Sequence, residues 1–151
     1  RIASQLAVHE ITRKYCAVCW NAFSQENGTV DAPIGRNPKD RKKMAVDLKN
    51  GRRAVTHYRV LENFKQFAFI ECQLETGRTH QIRVHMSSIG HPLLGDDVYG
   101  SKNSPYNLEG QTLHARVLGF IHPRTEKYVE FEAPVPDYFN RILSDLRSSG
   151  K

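Results

Sequence analysis

Cysteine is scarce in this 151-residue chain, and the count of three is odd. Three thiols cannot build a disulfide framework, so the fold must rest on an apolar core, and a reducing compartment, the cytoplasm, is expected. Long apolar runs are missing too. No stretch reaches the roughly 18 apolar residues that a membrane-spanning helix needs, and no secretory signal opens the chain. Metal-binding patterns are thin. Cys16 and Cys19 form one C-x-x-C with no second pair, whereas a structural zinc site needs four converging ligands. The run KYCAVCW reads as a strand, on which Cys16 and Cys19 face opposite sides. His80 and His85 lack the i, i+4 spacing of a zinc-protease helix, and no H-E-x-x-H occurs. No metal and no cofactor are expected. Internal repeats and low-complexity tracts are also absent, and the length suits a single domain over residues 1–151.

What is present is charge of one sign in one place. The net charge is +6. Residues 36–53 hold Arg36, Lys39, Arg41, Lys42, Lys43, Lys49, Arg52 and Arg53 against only Asp40 and Asp47, so this segment carries the whole excess. A solvated face usually mixes signs. A single-sign block points to a polyanion, most simply a nucleic acid. The plain alternative is a loop that only solubilises a structural domain.

The rest of the chain alternates strand and helix signals. Ile2, Leu6 and His9 sit at helical spacing and suggest the tail of a helix. KYCAVCW predicts a strand. Residues 21–43, with Asn27-Gly28, Pro33, Gly35 and Pro38, predict mostly turns and loop. MAVDL predicts a short strand, followed by a hairpin turn at Asn50-Gly51. AVTHYRVLENF and QFAFIECQLE predict an antiparallel pair, the second with Phe67 and Phe69 on one face and Ala68, Ile70 and Cys72 on the other. A helix is predicted from about Thr79 to Ile89, stopped by Gly90 with Pro92 beyond. QTLHARVLGFIHP and KYVEFEAP predict two more strands. VPDYFNRILSDLRSSGK predicts a closing amphipathic helix with Tyr138, Phe139, Ile142, Leu143 and Leu146 as its stripe. The class is α+β, a mainly antiparallel sheet with packed helices.

One helix raises a question of its own. At about 100° per residue, Ile82, Met86 and Ile89 form its buried stripe and Arg83 falls on the border. His80, Gln81, Ser87 and Ser88 cover the outer side. An arginine on that border buries its stem and brings its guanidinium out at the rim. It is expected to have a carboxylate or phosphate partner, because a desolvated unpaired charge is costly. Periodicity alone fits equally a surface helix with a snorkelling arginine. Gly77 is expected to turn the chain sharply out of the preceding strand.

At these residues a family resemblance appears. LETGRTHQIRVHMSSIGHPLLGDDVYG resembles the most diagnostic motif of the RluA-type pseudouridine synthases. RKYCAV is similar to their K-x-Y-x-A-x-V strand, and APIGRNPKDRKKMAVD to the basic segment after it. AVTHYRVLE is similar to their A-x-T-x-Y-x-V strand, and LHARVLGFIHPRTEKYVEFEAPVPDYF to their usual ending. The five segments span nearly the whole chain in family order. The family's nucleophilic aspartate lies in an H-R-L-D motif upstream of the K-x-Y strand, and no such motif occurs in these residues. The chain, which opens on Arg1, is therefore expected to be the C-terminal portion of a catalytic domain.

The resemblance implies a pseudouridine synthase fold, here partial, and an activity: isomerisation of uridine to pseudouridine in structured RNA, ribosomal RNA ahead of transfer RNA. It implies no redox cofactor and no metal, an RNA partner, and no membrane. A monomer is expected. By the resemblance, Arg83 matches the motif arginine that pairs with the catalytic aspartate. Tyr15 matches the strand tyrosine that lies against the target base, a candidate for the C5 proton transfer. Without the motif, Tyr15 reads as a strand aromatic in the core. Arg36, Arg41, Lys42 and Lys43 are expected to hold phosphates, and Arg78, His80 and Gln81 to contact RNA near the flipped base. His85 and His91 are expected to serve the fold, and Gly95, Asp96 and Tyr99 to shape a turn. The alternative function is a non-catalytic RNA-binding module of the same fold.

Overall fold

The computed structural model describes residues 11–108 and 110–150. Among the described residues, eight strands are formed: β1 (Thr12–Trp20), β2 (Asn27–Asp31), β3 (Ile34–Arg36), β4 (Met44–Val46), β5 (Val55–Asn63), β6 (Phe67–Leu74), β7 (Leu113–Ile121) and β8 (Tyr128–Glu132). Two helices accompany them, α1 (Gln81–Ser88) and α2 (Asp137–Ser149). Six strands make one sheet in the order β2-β5-β6-β1-β7-β8, and every neighbouring pair in it is antiparallel. β3 and β4 form a separate two-stranded hairpin. The helix suggested at Ile2, Leu6 and His9 lies outside the described residues.

The central strands are covered on both sides, which explains why β1 is apolar without a clean alternation. Cys16 and Val18 pack with Phe67 and Phe69 against Phe139, Ile142, Leu143 and Leu146 of α2. Ala17 and Cys19 pack with Ala68, Ile70 and Cys72 against Ile82 and Met86 of α1. Cys16 and Cys19 thus lie in different cores, as their spacing on a strand requires. Each large apolar side chain so buried contributes about 1.5–3 kcal/mol relative to exposure. α1 ends as expected. Gly90 adopts φ 87°, its N–H reaches the Ser87 carbonyl, and the His91 N–H reaches Met86, the paired bonds of a Schellman stop.

Residues 21–43 are mostly turns and loop, as expected, but they also hold the short strands β2 and β3. Asn27-Gly28 is no turn: it starts β2, where Gly28 lies opposite Tyr58 and the tyrosine ring fills the space a side chain would take. Asn50-Gly51 does not close a hairpin between β4 and β5 either. Asp47 caps the Lys49 and Asn50 N–H groups through Oδ1 and accepts the Gly51 N–H on its carbonyl. The chain then returns beside β3, where Ile34 and Arg52 exchange backbone hydrogen bonds. β4 pairs with β3 alone.

A candidate active-site cleft

The end of β6, the loop into α1 and the first turn of α1 face β1 across a cleft of about 310 Å³. Its walls bring together Arg13 and Tyr15 from β1, Gly77, Arg78 and His80 from the loop, and Gln81 and Arg83 from α1. Five of these are the residues singled out by the sequence for chemistry or RNA contact near the base. Tyr15 owes its position to a break in register against β7 between Lys14 and Tyr15. Such a bulge re-aims the side chain that follows it. Tyr15 is half-buried and packs against the core under α1.

Arg83 has a partner, and it is Asp96. Nε donates to Oδ2 at 2.9 Å and Nη2 to Oδ1 at 3.1 Å. This is the side-on fork of a bidentate pair. The Arg83 side chain is 13% exposed and that of Asp96 is 0%, so Arg83 stands at the rim and its partner beneath it. Asp96 Oδ1 also accepts the backbone N–H groups of Val98 and Tyr99. Burial would raise the Asp96 pKa, but the bonds from Arg83 and from the two amides outweigh it and hold the carboxyl below its usual value. The same pair holds Arg83 charged. Tyr99 lies under the guanidinium, 5.0 Å from ring centroid to Cζ, in cation–π range. Gly95, just before Asp96, takes φ 86° and makes room for a neighbouring loop, since a Cβ there would meet the Gly110 carbonyl oxygen at 2.3 Å. The expectation that Asp96 shapes a turn is met by its backbone bonds. Its second role, anchoring Arg83, gives no signal in the sequence beyond proximity in one motif.

Gln81 is a correction. It is 3% exposed and its amide is fully occupied, so it is not on the outer side of α1 and offers RNA nothing in this arrangement. Nε2 donates to the Val55 carbonyl and Thr56 Oγ1, while Oε1 accepts from the Thr76 hydroxyl and the Arg78 N–H. These bonds clip the β6–α1 loop onto β5. His85 is fully buried, with Nε2 against the Ala32 carbonyl and Nδ1 against Thr56 Oγ1. Burial holds its pKa below the ordinary value. His91 stacks on Phe23 and bonds the Trp20 carbonyl. Both serve the fold. Ile89, placed in the buried stripe by periodicity, is 39% exposed, because α1 has already ended at Ser88.

His80 is also not inside the helix. It is the N-cap residue, at φ 57°, a left-handed conformation that is uncommon for any residue but glycine. It swings the imidazole away from α1 toward Tyr99, whose hydroxyl lies 2.7 Å from Nδ1. Burial, then the Arg83 charge, keep His80 below its ordinary pKa.

The remaining cations divide in two groups. Arg78 donates through Nε to the Arg53 carbonyl at 2.7 Å, which fixes its stem and leaves the other guanidinium nitrogen atoms at the cleft. Arg13, which the sequence reading passed over, places Nε and Nη2 where they are buried without an acceptor among the described residues, and burial lowers its pKa. Gly77 makes room for it: a Cβ would sit 2.4 Å from Arg13 Nη1. Gly77 does not adopt a positive φ, so close packing, and not a sharp turn, explains that glycine. Outside the cleft, Arg36, Arg41 and Lys42 are exposed on the β3–β4 hairpin and Lys43 is half-buried. The hairpin is well ordered by its own bonds. Asn37 caps Lys39, Asp40 caps Lys42, and Arg36 Nη1 holds the Arg41 carbonyl at 3.0 Å.

Comparison with known proteins bears on the family and the fold. The model of a family described as RNA pseudouridylate synthase matches residues 1–88. A Bacillus subtilis protein called an uncharacterized RNA pseudouridine synthase, YlyB, is 54% identical over 99% of this chain and 48% of its own length. The ribosomal large subunit pseudouridine synthase D of Zymomonas mobilis is 48% identical over 99% of this chain and 50% of its own. The chain thus spans about half the length of the curated relatives it matches. Among solved structures, human RNA pseudouridylate synthase domain containing 4 superposes with a TM-score of 0.76 at 27% identity, covering 97% of this chain and 66% of that one. The human domain containing 1 gives the same TM-score at 23% identity, over 97% and 69%, a likeness of fold. The chain belongs to the RNA pseudouridylate synthase family, in its RluA-type branch.

Proposed function

We propose that this chain is the greater part of the active-site framework of an RNA pseudouridine synthase, acting on structured RNA and on ribosomal RNA ahead of transfer RNA. The observation that carries the reading is the meeting of Tyr15 and Arg83 in one cleft, with Arg83 seated on a buried carboxylate. The preference for ribosomal RNA rests on relatives named as ribosomal large subunit pseudouridine synthases. The protein is proposed to work as a cytoplasmic monomer.

The reaction is an isomerisation. The N1–C1′ bond of uridine breaks, the uracil turns, and a C5–C1′ bond replaces it; the proton leaves C5 and one is gained at N1. Electrons balance without an external oxidant, and no water is consumed. The base must leave the stack to reach the cleft. Arg83 has five N–H donors, and Asp96 takes two of them. The other donors are available to a second carboxylate, the nucleophile expected upstream of these residues. An adjacent cation keeps such a carboxylate ionised and therefore nucleophilic. Tyr15 offers an apolar face for the base and a hydroxyl for the C5 proton. Arg36, Arg41, Lys42 and Lys43 hold phosphates, which position the RNA without reading its sequence.

The experiment compares the full-length protein with residues 1–151 alone, on ribosomal and transfer RNA, by chemical mapping of pseudouridine. Full-length protein is expected to modify discrete uridines and residues 1–151 to modify none. Full-length protein that binds RNA with salt-sensitive affinity yet forms no pseudouridine would establish the non-catalytic RNA-binding alternative instead.

A further inference from the structure

Tyr99 touches Arg83, Asp96 and His80 as well as the start of β4. Its ring lies under Arg83 and meets the His80 ring edge-on, with centroids 5.6 Å apart. Its N–H binds Asp96 Oδ1, and its carbonyl accepts the Ser87 hydroxyl at 2.6 Å. Its own hydroxyl sits between two groups: the Met44 N–H at 2.9 Å and His80 Nδ1 at 2.7 Å. Met44 opens β4 and directly follows the cations of the hairpin. With Met44 and Val46, Tyr99 packs against the small cluster of Ile34, Ala54 and Val84.

Donor counting fixes one side of this hydroxyl. The Met44 N–H can only donate, so the Tyr99 oxygen accepts there and its own hydrogen is free for His80. With that hydrogen turned toward His80, Nδ1 accepts and the neutral ring carries its proton on Nε2; in the other tautomer, Nδ1–H donates to the same oxygen.

We propose that Tyr99 is a positioning residue that joins the basic hairpin to the cleft: the hairpin, through Met44, sets the tyrosine, and the tyrosine sets the His80 tautomer and the seat of Arg83. RNA phosphates that settle on Arg36, Arg41, Lys42 and Lys43 thereby adjust the cleft as well as anchor the substrate. The assignment rests on the function proposed above for its catalytic consequence, though not for its structural part. Tyr99→Phe isolates it, since the ring stays under Arg83 and only the hydroxyl is lost.

Two measurements on the full-length protein test the joint without any turnover. In Tyr99→Phe the Met44 amide is expected to exchange about tenfold faster or more, with the amides of Ala17 and Ile70 in the central sheet unchanged. The His80 imidazole is expected to lose its preference for the Nε2–H form in nitrogen-resolved NMR. Unchanged Met44 exchange, or an unchanged tautomer, would overturn the proposal. In the full-length protein, Tyr99→Phe is expected to lower kcat about tenfold with KM within about threefold. Added to His80→Ala, it should cost less than about threefold more, because both act through one ring. Penalties that multiply in full would contradict the coupling. If wild-type full-length protein makes no pseudouridine, the proposed function falls, while exchange and tautomer still decide the role of Tyr99.

Discussion

The two helices cover opposite faces of the same central strands and are built on different terms. α2 buries only apolar side chains, Phe139, Ile142, Leu143 and Leu146, under a polar outer surface. It has an acidic residue, Asp137, in its first turn and Gly150 at φ 72° past its end. α1 is shorter and buries Gln81 and His85 beside Ile82, Val84 and Met86. It begins at a left-handed histidine with no side-chain cap. The difference separates two tasks. Burying apolar surface stabilises a sheet wherever it occurs. Burying polar groups costs free energy unless every one is paired, and at α1 the pairs fix a loop, a helix start and a guanidinium at the cleft. α2 holds the fold, and α1 holds the fold and the site together.

Substitutions on the two sides should therefore fail differently. Phe139→Ala on the α2 side is expected to cost about 3–5 kcal/mol of stability. RNA affinity of the molecules that remain folded should be unchanged, as read by denaturant unfolding beside filter binding. A loss of affinity at saturating stability would blur the distinction. Asp96→Ala on the α1 side leaves a half-buried guanidinium without its carboxylate. Its cost is expected to be up to about 3 kcal/mol, at the low end for breaking a buried pair because Arg83 reaches solvent. Here the site should fail first: turnover of the full-length protein should fall more than stability accounts for, and Asp96→Asn should recover stability better than turnover. Gln81→Ala takes the acceptor from the Arg78 N–H and one of two donors from the Val55 carbonyl, which keeps the Glu75 N–H, at about 1–3 kcal/mol. The β6–α1 loop should then exchange its amides faster while α2 remains protected.

The smallest expected effect is one of pH. Burial lowers the His85 pKa from its ordinary 6.5. The folded state therefore binds fewer protons there than the unfolded state in the range between the two pKa values. Its contribution is complete above pH 6.5 and declines as pH falls from there toward the folded pKa. Melting temperature should drop between pH 7.5 and 5.5, and His85→Gln should reduce that drop, with His80, also lowered by burial, contributing in the same direction. A flat profile in the wild type would show that His85 titrates as it does unfolded.

The same contrast explains what could be read from sequence. α2 was legible almost residue by residue, because an apolar stripe on a helix has one interpretation. So were the two faces of β1 and β6 and the glycine stop after α1. α1 misled at its start. Periodicity sends glutamine outward, yet Gln81 is buried because four hydrogen bonds saturate its amide, and those partners come from β5 and the loop. Asp96 as the seat of Arg83 was invisible for a similar reason: a bidentate pair depends on how a loop folds back, which spacing does not encode. The short strands β2 and β3 were missed because Asn27-Gly28 carries a turn signature and only the ring of Tyr58, from another strand, suits that glycine to a sheet. The family resemblance supplied the roles of Tyr15 and Arg83. Periodicity supplied only the rim position of Arg83.

The central claim is that Arg83, seated on Asp96, serves the chemistry of the cleft and not merely the hold on RNA. The direct measurement is single-turnover pseudouridine formation by full-length wild type and Arg83→Ala, with RNA affinity measured on the same preparations. The account predicts a loss of about a thousandfold or more in rate, on the order of 4 kcal/mol in the barrier, with affinity within about threefold. A rate within tenfold of wild type, or a loss explained by weaker RNA binding, would contradict it.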